Sequence, residues 1–225
     1  MDTPEKSSAE PQQAASARLC AAYAVLHVLR DQEQLETALS RQPAYKKLSS
    51  RDRAFARLIS ATVFRRMGQI DAALKPFVRR TPAPLPHAVL RTGAAQLLFL
   101  KTPVHAAVGE SVALLKQSPK TRAYCGMINA VLRKVAEQGP SLVGSVPPSA
   151  NIPGWIRATW EKAYGKPAMR RMAAELAKEP PLDICVKNDV NFWAERLEGD
   201  VISTWTVRRN NASGVRELPG YEEGN

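Results

Sequence analysis

Apolar residues repeat at helical spacing through the first 138 residues. Leu19, Ala22, Tyr23 and Leu26 occupy positions i, i+3, i+4 and i+7, which places them on one face of an amphipathic helix. Matching stripes recur further along the chain, in residues 55–63, 90–98, 104–115 and 128–135. A chain with this pattern buries its apolar stripes by packing helix against helix. Residues 16–138 are therefore predicted to form an all-helical bundle.

Two dipeptides, Thr102-Pro103 and Ser118-Pro119, predict where helices of this bundle begin. A hydroxyl side chain can cap the free N–H groups of a first turn, and proline fits the first helical position because its missing N–H needs no partner. In contrast, three prolines within residues 81–86 predict a loop between two helices.

The character of the chain changes after residue 138. Residues 139–150 are rich in Gly, Pro and Ser, which predicts a linker. Beyond it, two helix-like stretches precede β-rich runs at 182–186, 201–207 and 215–218. The expected fold class is an all-α bundle followed by a partial, small α+β domain at 151–225. Residues 1–15 show no periodicity and are expected to form a disordered tail.

The positive charge of the chain is unevenly distributed. The net charge is +11 over 225 residues. Residues 1–140 hold 21 Lys/Arg against 10 Asp/Glu, whereas residues 141–225 hold 11 of each. A basic excess of this kind attracts a polyanion, and RNA or DNA is the usual one. A solvated basic surface without such a partner would give the same counts, so the charge alone leaves both interpretations open.

Several classes of protein are disfavoured by the sequence. No apolar run approaches the roughly 20 residues of a membrane span, and the polar N-terminal residues lack the apolar core of a signal peptide, so a cytoplasmic protein without membrane contact is expected. Cys20, Cys125 and Cys185 are far apart and form no CxxC pair, which argues against a disulfide framework and a zinc site. The three histidines share no ligand spacing, and no metal site is predicted.

Segments of the predicted bundle resemble the NusB-like helical domain. The residues that carry the resemblance are LRTGAAQLLFL at 90–100, PVHAAV at 103–108, GMINAVLR at 126–133, DRAFA at 52–56 and RRMG at 65–68. Relatives of this fold are small helical RNA binders, either alone as transcription antitermination factors or fused to RNA methyltransferases. The resemblance therefore implies a NusB-like, RNA-binding domain at 16–138.

The residues after the bundle resemble the connecting region of the RsmB type of 16S rRNA cytosine-5 methyltransferase. The resemblance is carried by Pro153-Gly-Trp155, Trp160, Tyr164-Gly165 and Glu179-Pro-Pro-Leu182, with 218–224 similar to the segment before that family's S-adenosylmethionine-binding domain. It implies that the chain binds and positions 16S rRNA, while methyl transfer belongs to a domain beyond Asn225. A stand-alone NusB-like antitermination or RNA-binding regulator is the alternative function, and an interaction module for an acidic protein is another.

The chemistry of cytosine-5 methylation has no counterpart in the sequence. That family uses a Cys nucleophile, and the cofactor needs a glycine-rich turn after a strand. Gly139, Gly144 and Gly154 are isolated, and Cys185 in its apolar run is interpreted as a core cysteine. No catalytic, cofactor-binding or metal-binding residue is assigned. We expect this chain alone to be inactive as a methyltransferase, with S-adenosylmethionine bound only in the full-length family.

The candidate RNA-binding residues follow from the resemblance. In relatives the first helix and the loop before the last helix face RNA, so Arg18, Lys120, Arg122 and Met127 inherit that role by position. Arg18, Lys120 and Arg122 are also expected at helix starts, where backbone N–H groups favour phosphate. The set is completed by residues further along the last helix, Arg133 and Lys134. The implied partners are 16S rRNA and a ribosomal protein, with the protein itself a monomer.

Overall fold

The computed structural model describes residues 9–209, 215 and 218–222 of the chain. The helices of the first part are α1 (Ala9–Asp31), α2 (Leu35–Ser40), α3 (Pro43–Lys46), α4 (Ser50–Arg65), α5 (Met67–Leu74), α6 (Pro84–Leu98), α7 (Val104–Lys116), α8 (Pro119–Arg122) and α9 (Cys125–Ser145). A 3₁₀ turn (Pro148–Asn151) and α10 (Gly154–Leu176) follow, and the remaining elements are β1 (Leu182–Cys185), α11 (Val190–Arg196), β2 (Asp200–Ser203) and β3 (Thr206–Arg209).

The main core of the bundle lies between α1, α5, α6, α7 and α9. Leu90, Leu115, Ile128 and Leu132, all from the predicted stripes, are fully buried there. A Cβ atom on Gly93 would lie 2.7 Å from a methyl group of Leu132, so the absence of a side chain lets α6 and α9 approach closely. The predicted all-helical bundle followed by a small α+β part is confirmed by this architecture.

The helix starts agree with the sequence at one site and differ at another. Ser118 is the N-cap of α8 and Pro119 its first residue, as predicted, although the Ser118 hydroxyl makes no capping hydrogen bond. At the other dipeptide the prediction is wrong by one residue, because Pro103 is the N-cap and α7 begins at Val104. The region 81–86 was predicted to be a loop, but α6 begins at Pro84. Proline is tolerated in a first turn because N–H groups there have no partner within the helix. The loop is therefore shorter than its proline content predicts.

The predicted linker at 139–150 is largely structured. Helix α9 continues to Ser145 with Pro140 inside it, and Gly139 is buried against Leu98. The 3₁₀ turn then packs on α5. Just before the turn, the carbonyl of Val146 accepts a 3.0 Å hydrogen bond from the side-chain Nε2 of Gln69. Packing and hydrogen bonds thus override the local Gly and Pro content, and the first compact unit extends to Ala177, beyond the predicted boundary near residue 138.

A pair of reciprocal hydrogen bonds fixes the 3₁₀ turn on α5. The backbone N–H of Gln69 donates to Oδ1 of Asn151 at 3.0 Å, and Nδ2 of Asn151 donates to Oε1 of Gln69 at 3.0 Å. A Cβ atom on the neighbouring Gly68 would lie 1.9 Å from the carbonyl oxygen of Ala150. Only glycine permits this backbone approach, so Gly68 determines how closely the turn packs.

Helix α10 consists of two arms that meet at Gly165. The φ angle of Gly165 is 76°, a left-handed conformation that favours glycine, and Pro167 follows it. A small core forms around Ile152, with Trp160 from the first arm and Met169 and Ala173 from the second. The break therefore lets both arms pack on the same residue.

The second compact unit begins at Lys178 and contains a three-stranded antiparallel sheet in the order β1-β3-β2. Its core comprises Val186, Trp193, Leu197 and Val207. The predicted strand at 201–207 is two strands, β2 and β3, joined by a turn at 204–205. Most of the sheet region was thus predicted, but the turn within it was not.

The two ends of the chain lie partly outside the described residues. Residues 1–8 of the expected disordered tail are among those outside, whereas residues 9–15 belong to α1 rather than to a tail. The predicted strand at 215–218 includes two residues outside the described part, and Val215 is in a 3₁₀ conformation.

Candidate nucleic-acid interface

Lys120 and Arg122 lie on α8, a single helical turn between α7 and α9. Both side chains are exposed. The hydroxyl of Thr121 donates to the carbonyl of Leu115 at 2.7 Å, which fixes this turn against the end of α7. The expectation that Lys120 and Arg122 begin the last helix of the bundle is wrong, because α9 begins only at Cys125. Lys120 and Arg122 therefore supply exposed positive charge rather than charge at the start of a long helix.

Arg18 occupies a different environment from the one expected of a phosphate ligand. It lies in the interior of α1, more than two helical turns after Ala9, and is 8% exposed. Its Nε donates to Oε1 of Gln96 at 2.7 Å, and its guanidinium carbon lies 5.1 Å from the ring centroid of Phe55. Burial lowers the pKa of Arg18, partly offset by the charge of Glu110. The structure therefore makes Arg18 a connection between α1, α4 and α6 rather than a surface cation.

The three candidates on α9 differ in accessibility. Met127 is half-buried and packs against the main core. Arg133 and Lys134 lie more than one helical turn after Met127, and both side chains are exposed. Nε of Arg133 donates to Oδ1 of Asn129 at 3.3 Å, and Nζ of Lys134 lies 5.9 Å from the ring centroid of Phe77. The two cations remain available to a polyanion, whereas Met127 presents only part of its side chain.

A second group of cations lies near α3 and α4. Arg57 is partly neutralised, since its Nε donates to Oε1 of Glu36 at 2.6 Å. Arg53 has a 3.4 Å hydrogen bond to the hydroxyl of Ser50. The remaining members of the group are exposed, namely Lys46, Lys47 and Arg51.

The cysteines show no arrangement typical of a nucleophile or a metal site. Cys20 is buried, and burial raises the pKa of its thiol to about 11. Cys125 donates its S–H to the carbonyl of Val112 at 3.7 Å. Cys185, interpreted from the sequence as a core residue, is exposed on β1 because the opposite face of that short strand packs inward. Within the described ranges, no three metal-ligating side chains cluster together.

The structural boundary at Ala177 changes the distribution of charge. Residues 1–177 hold 26 Lys/Arg against 12 Asp/Glu, a net charge of +14, and residues 178–225 hold 6 against 9, a net charge of −3. The apparently neutral second part of the sequence is therefore a basic α10 joined to an acidic unit. The sequence predicted the two helix-like stretches that form α10 but assigned them to the second domain, because the boundary was set at the Gly- and Pro-rich segment.

None of the helices in the described residues is both long and apolar enough to cross a membrane. This observation agrees with the absence of a long apolar run in the sequence.

Comparisons with known proteins extend over most of the chain. It is 31% identical over 189 residues to a ribosomal RNA small subunit methyltransferase B of Xanthomonas campestris pv. campestris, covering 77% of this chain and 42% of the relative. It is 27% identical over 225 residues to the protein of the same name from a strain of Escherichia coli, covering 92% of this chain and 51% of the relative. The chain thus spans about half the length of the curated relatives it matches.

A solved structure shares the fold. The crystal structure of PH0851 matches with a TM-score of 0.60 and 17% sequence identity, covering all of this chain and 53% of that one. The family model described as the NusB family matches residues 15–137, which corresponds to α1 through most of α9. The helical bundle that carries the exposed cations of α8 and α9 is the matched region, and the chain belongs to the NusB family.

Proposed function

We propose that this chain is the RNA-binding portion of an rRNA cytosine-5 methyltransferase and that it positions 16S rRNA for methylation. The observation that carries the proposal is the set of exposed cations on α8 and α9, within a bundle of the NusB family. Lys120 and Arg122 lie on the single helical turn α8 with exposed side chains, where a phosphate backbone can reach them. Arg133 and Lys134 add charge along α9.

The relatives support the methyltransferase branch over a stand-alone antitermination regulator. The match to the Escherichia coli protein covers 92% of this chain, well past residue 137 at which the NusB model ends. A regulator made of the bundle alone would not account for α10 and the sheet. We therefore assign both regions to one RNA-positioning role in the cytoplasm, with 16S rRNA as the first partner to test.

The described residues do not fit S-adenosylmethionine. A dinucleotide-type pocket uses a glycine-rich turn between a parallel strand and a helix. Here β1 and β2 each pair antiparallel with the central strand β3, so the sheet of the described residues has no adjacent parallel strands, and the β1–α11 connection contains no glycine. The role proposed for these residues is therefore binding and positioning of RNA, and none of them is assigned a step in methyl transfer.

The test is RNA binding as a function of salt concentration. Each cation that neutralises a phosphate releases a counterion, so four to six contacts give a log–log slope of roughly −3 to −4 on single-stranded RNA. We expect this slope in anisotropy titrations of a fluorescent 16S rRNA fragment. In parallel, incubation with labelled S-adenosylmethionine should give no methylation by this chain. A slope near zero would contradict RNA binding, and label incorporation would contradict a purely positioning role.

A further inference from the structure

Helix α10 exposes an aromatic ring on the side opposite its packed face. Trp155 is 74% exposed, whereas Trp160 of the same arm packs on Ile152. Residues spaced three or four apart share a helix face, which aligns Trp155, Thr159 and Lys162 on the outward side. All three are exposed. The indole ring of Trp155 is thus presented to solvent, and Lys162 follows on the same side of the helix about 10 Å further along its axis.

The same helix is rich in cations. Its two acidic residues are Glu161 and Glu175, whereas the basic ones are Arg157, Lys162, Lys166, Arg170 and Arg171. In the part of the chain that the structure describes, no acidic side chain forms an ion pair with Arg170 or Arg171. By contrast, Arg91 is held by Asp71 at 2.8 Å. The charges of Arg170 and Arg171 are therefore available to a polyanion.

We propose that α10 is a second RNA-contacting element, in which Trp155 stacks on an unpaired base and Arg170 and Arg171 bind phosphates of the same RNA. The inference rests on the proposed function and extends it, because α10 lies outside residues 15–137 matched by the NusB family. An exposed aromatic ring beside cations suits single-stranded RNA, whose bases offer a free face for stacking. A duplex hides those faces, and an acidic protein would satisfy the cations but not the indole.

The break at Gly165 divides the proposed RNA-contacting residues of α10 between two arms. Both arms contribute to the small core around Ile152; the first arm carries the exposed Trp155, and the second carries the exposed Arg170 and Arg171. The two parts therefore make separate contributions, one from stacking and one from charge, and each can be removed by itself.

The stacking contribution is tested with Trp155→Ala and Trp155→Tyr in the full chain. The probe is an oligouridylate of about 16 nucleotides, long enough to span several bases. We expect Trp155→Ala to weaken binding by about 5- to 150-fold, while Trp155→Tyr retains most of the affinity because a second aromatic ring can stack. Trp205→Ala is the matched control, since Trp205 is 63% exposed in the acidic second unit and should have no effect.

The charge contribution is tested with the double variant Arg170→Glu/Arg171→Glu. Loss of two phosphate contacts should reduce the magnitude of the salt slope by about 1.4 on a single strand. A double variant in the second unit, Lys187→Glu/Arg196→Glu, makes the same change in net charge and should leave the slope unaltered.

The outcomes separate this inference from the proposed function. If the wild-type chain binds RNA with a steep salt slope but Trp155→Ala and Arg170→Glu/Arg171→Glu are silent, α10 is not a contact and only the inference is overturned. If Trp155→Ala weakens single-stranded and duplex RNA equally, stacking is overturned. If the wild-type chain does not bind RNA, both proposals are wrong.

Discussion

Nε of Arg18 donates a 2.7 Å hydrogen bond to Oε1 of Gln96, and both side chains are buried. Gln96 in turn donates to the carbonyl of Thr92 within α6 at 3.1 Å, so the pair connects α1 to the last turn of α6. We expect a cation held this way to stabilise the bundle rather than to contact RNA directly.

The first prediction concerns this pair. Replacing Arg18 by Met keeps the apolar stem but leaves Oε1 of Gln96 without its donor, which should lower the free energy of unfolding by about 1–3 kcal/mol. Urea denaturation followed by circular dichroism measures the change. Arg133→Met is the control, because that exposed side chain should change stability by less than about 0.5 kcal/mol. Equal stability of both variants would show that the Arg18–Gln96 bond contributes nothing.

The second prediction concerns α8. Reversing both charges with Lys120→Glu/Arg122→Glu should weaken RNA binding and reduce the magnitude of the salt slope by about 1.4 on a single strand. The fold should be unaffected, since both side chains are exposed. Anisotropy titrations at several salt concentrations provide the measurement. The double change Lys46→Glu/Lys47→Glu, on the other exposed cationic group, tests whether the effect is specific to α8; an equal loss there would indicate a diffuse surface.

These two cases show where sequence reasoning succeeds and where it stops. The apolar stripe around Leu90 and the Ser118–Pro119 start were predictable because they depend on residues close together in the chain. The burial of Arg18 was not, because it depends on which faces of α4 and α6 pack beside α1. Periodicity identifies the apolar face of a helix but does not say which polar residue at its border will be covered.

The third prediction concerns Gly68. A methyl group there would lie 1.9 Å from the carbonyl oxygen of Ala150, so Gly68→Ala should force the 3₁₀ turn away from α5 and cost about 1–3 kcal/mol. Gly144→Ala is the matched control, because nothing lies within 4 Å of its Cβ position in α9. That substitution should instead stabilise the helix by up to about 1 kcal/mol. Thermal unfolding of both variants measures the two effects. A lower melting temperature for Gly68→Ala alone would show that the close contact with Ala150 determines the stability change at Gly68.

The fourth prediction concerns the boundary between the two units. Limited proteolysis should leave a resistant fragment that ends near Ala177, because Val146 and Asn151 are hydrogen-bonded to Gln69. Mass spectrometry of the fragment gives its C-terminus. A fragment that ends near residue 138 would show that the turn and α10 detach from the bundle. The sequence pointed to that earlier position because glycine and proline between 139 and 150 resemble a linker until their tertiary contacts are known.

The fifth prediction is a pH dependence. Burial raises the pKa of Cys20 to about 11, from a usual value of 9.0, so the folded state keeps its proton after the unfolded state has lost one. The stability that this provides is complete below pH 9 and is lost as the pH rises toward 11. Wild-type protein should therefore lose more stability over this interval than Cys20→Ala, by on the order of 1–2 kcal/mol. If the free energies of unfolding of the two proteins fell in parallel between pH 9 and 11, the raised pKa of Cys20 would be contradicted.

The hydrogen bonds between Gln69 and Asn151 join residues 82 positions apart, which places a constraint on the order of events during synthesis. At about 5–20 residues per second, the ribosome releases Gln69 roughly 4–16 s before its partner. Throughout that delay the surface of α5 is open to water, although α1 and α4 are already complete in the nascent chain. The contact between the 3₁₀ turn and α5 therefore cannot form before residue 151 is synthesised. Slow translation of residues 146–151 would prolong the exposure of Gln69 and its neighbours on α5 to water.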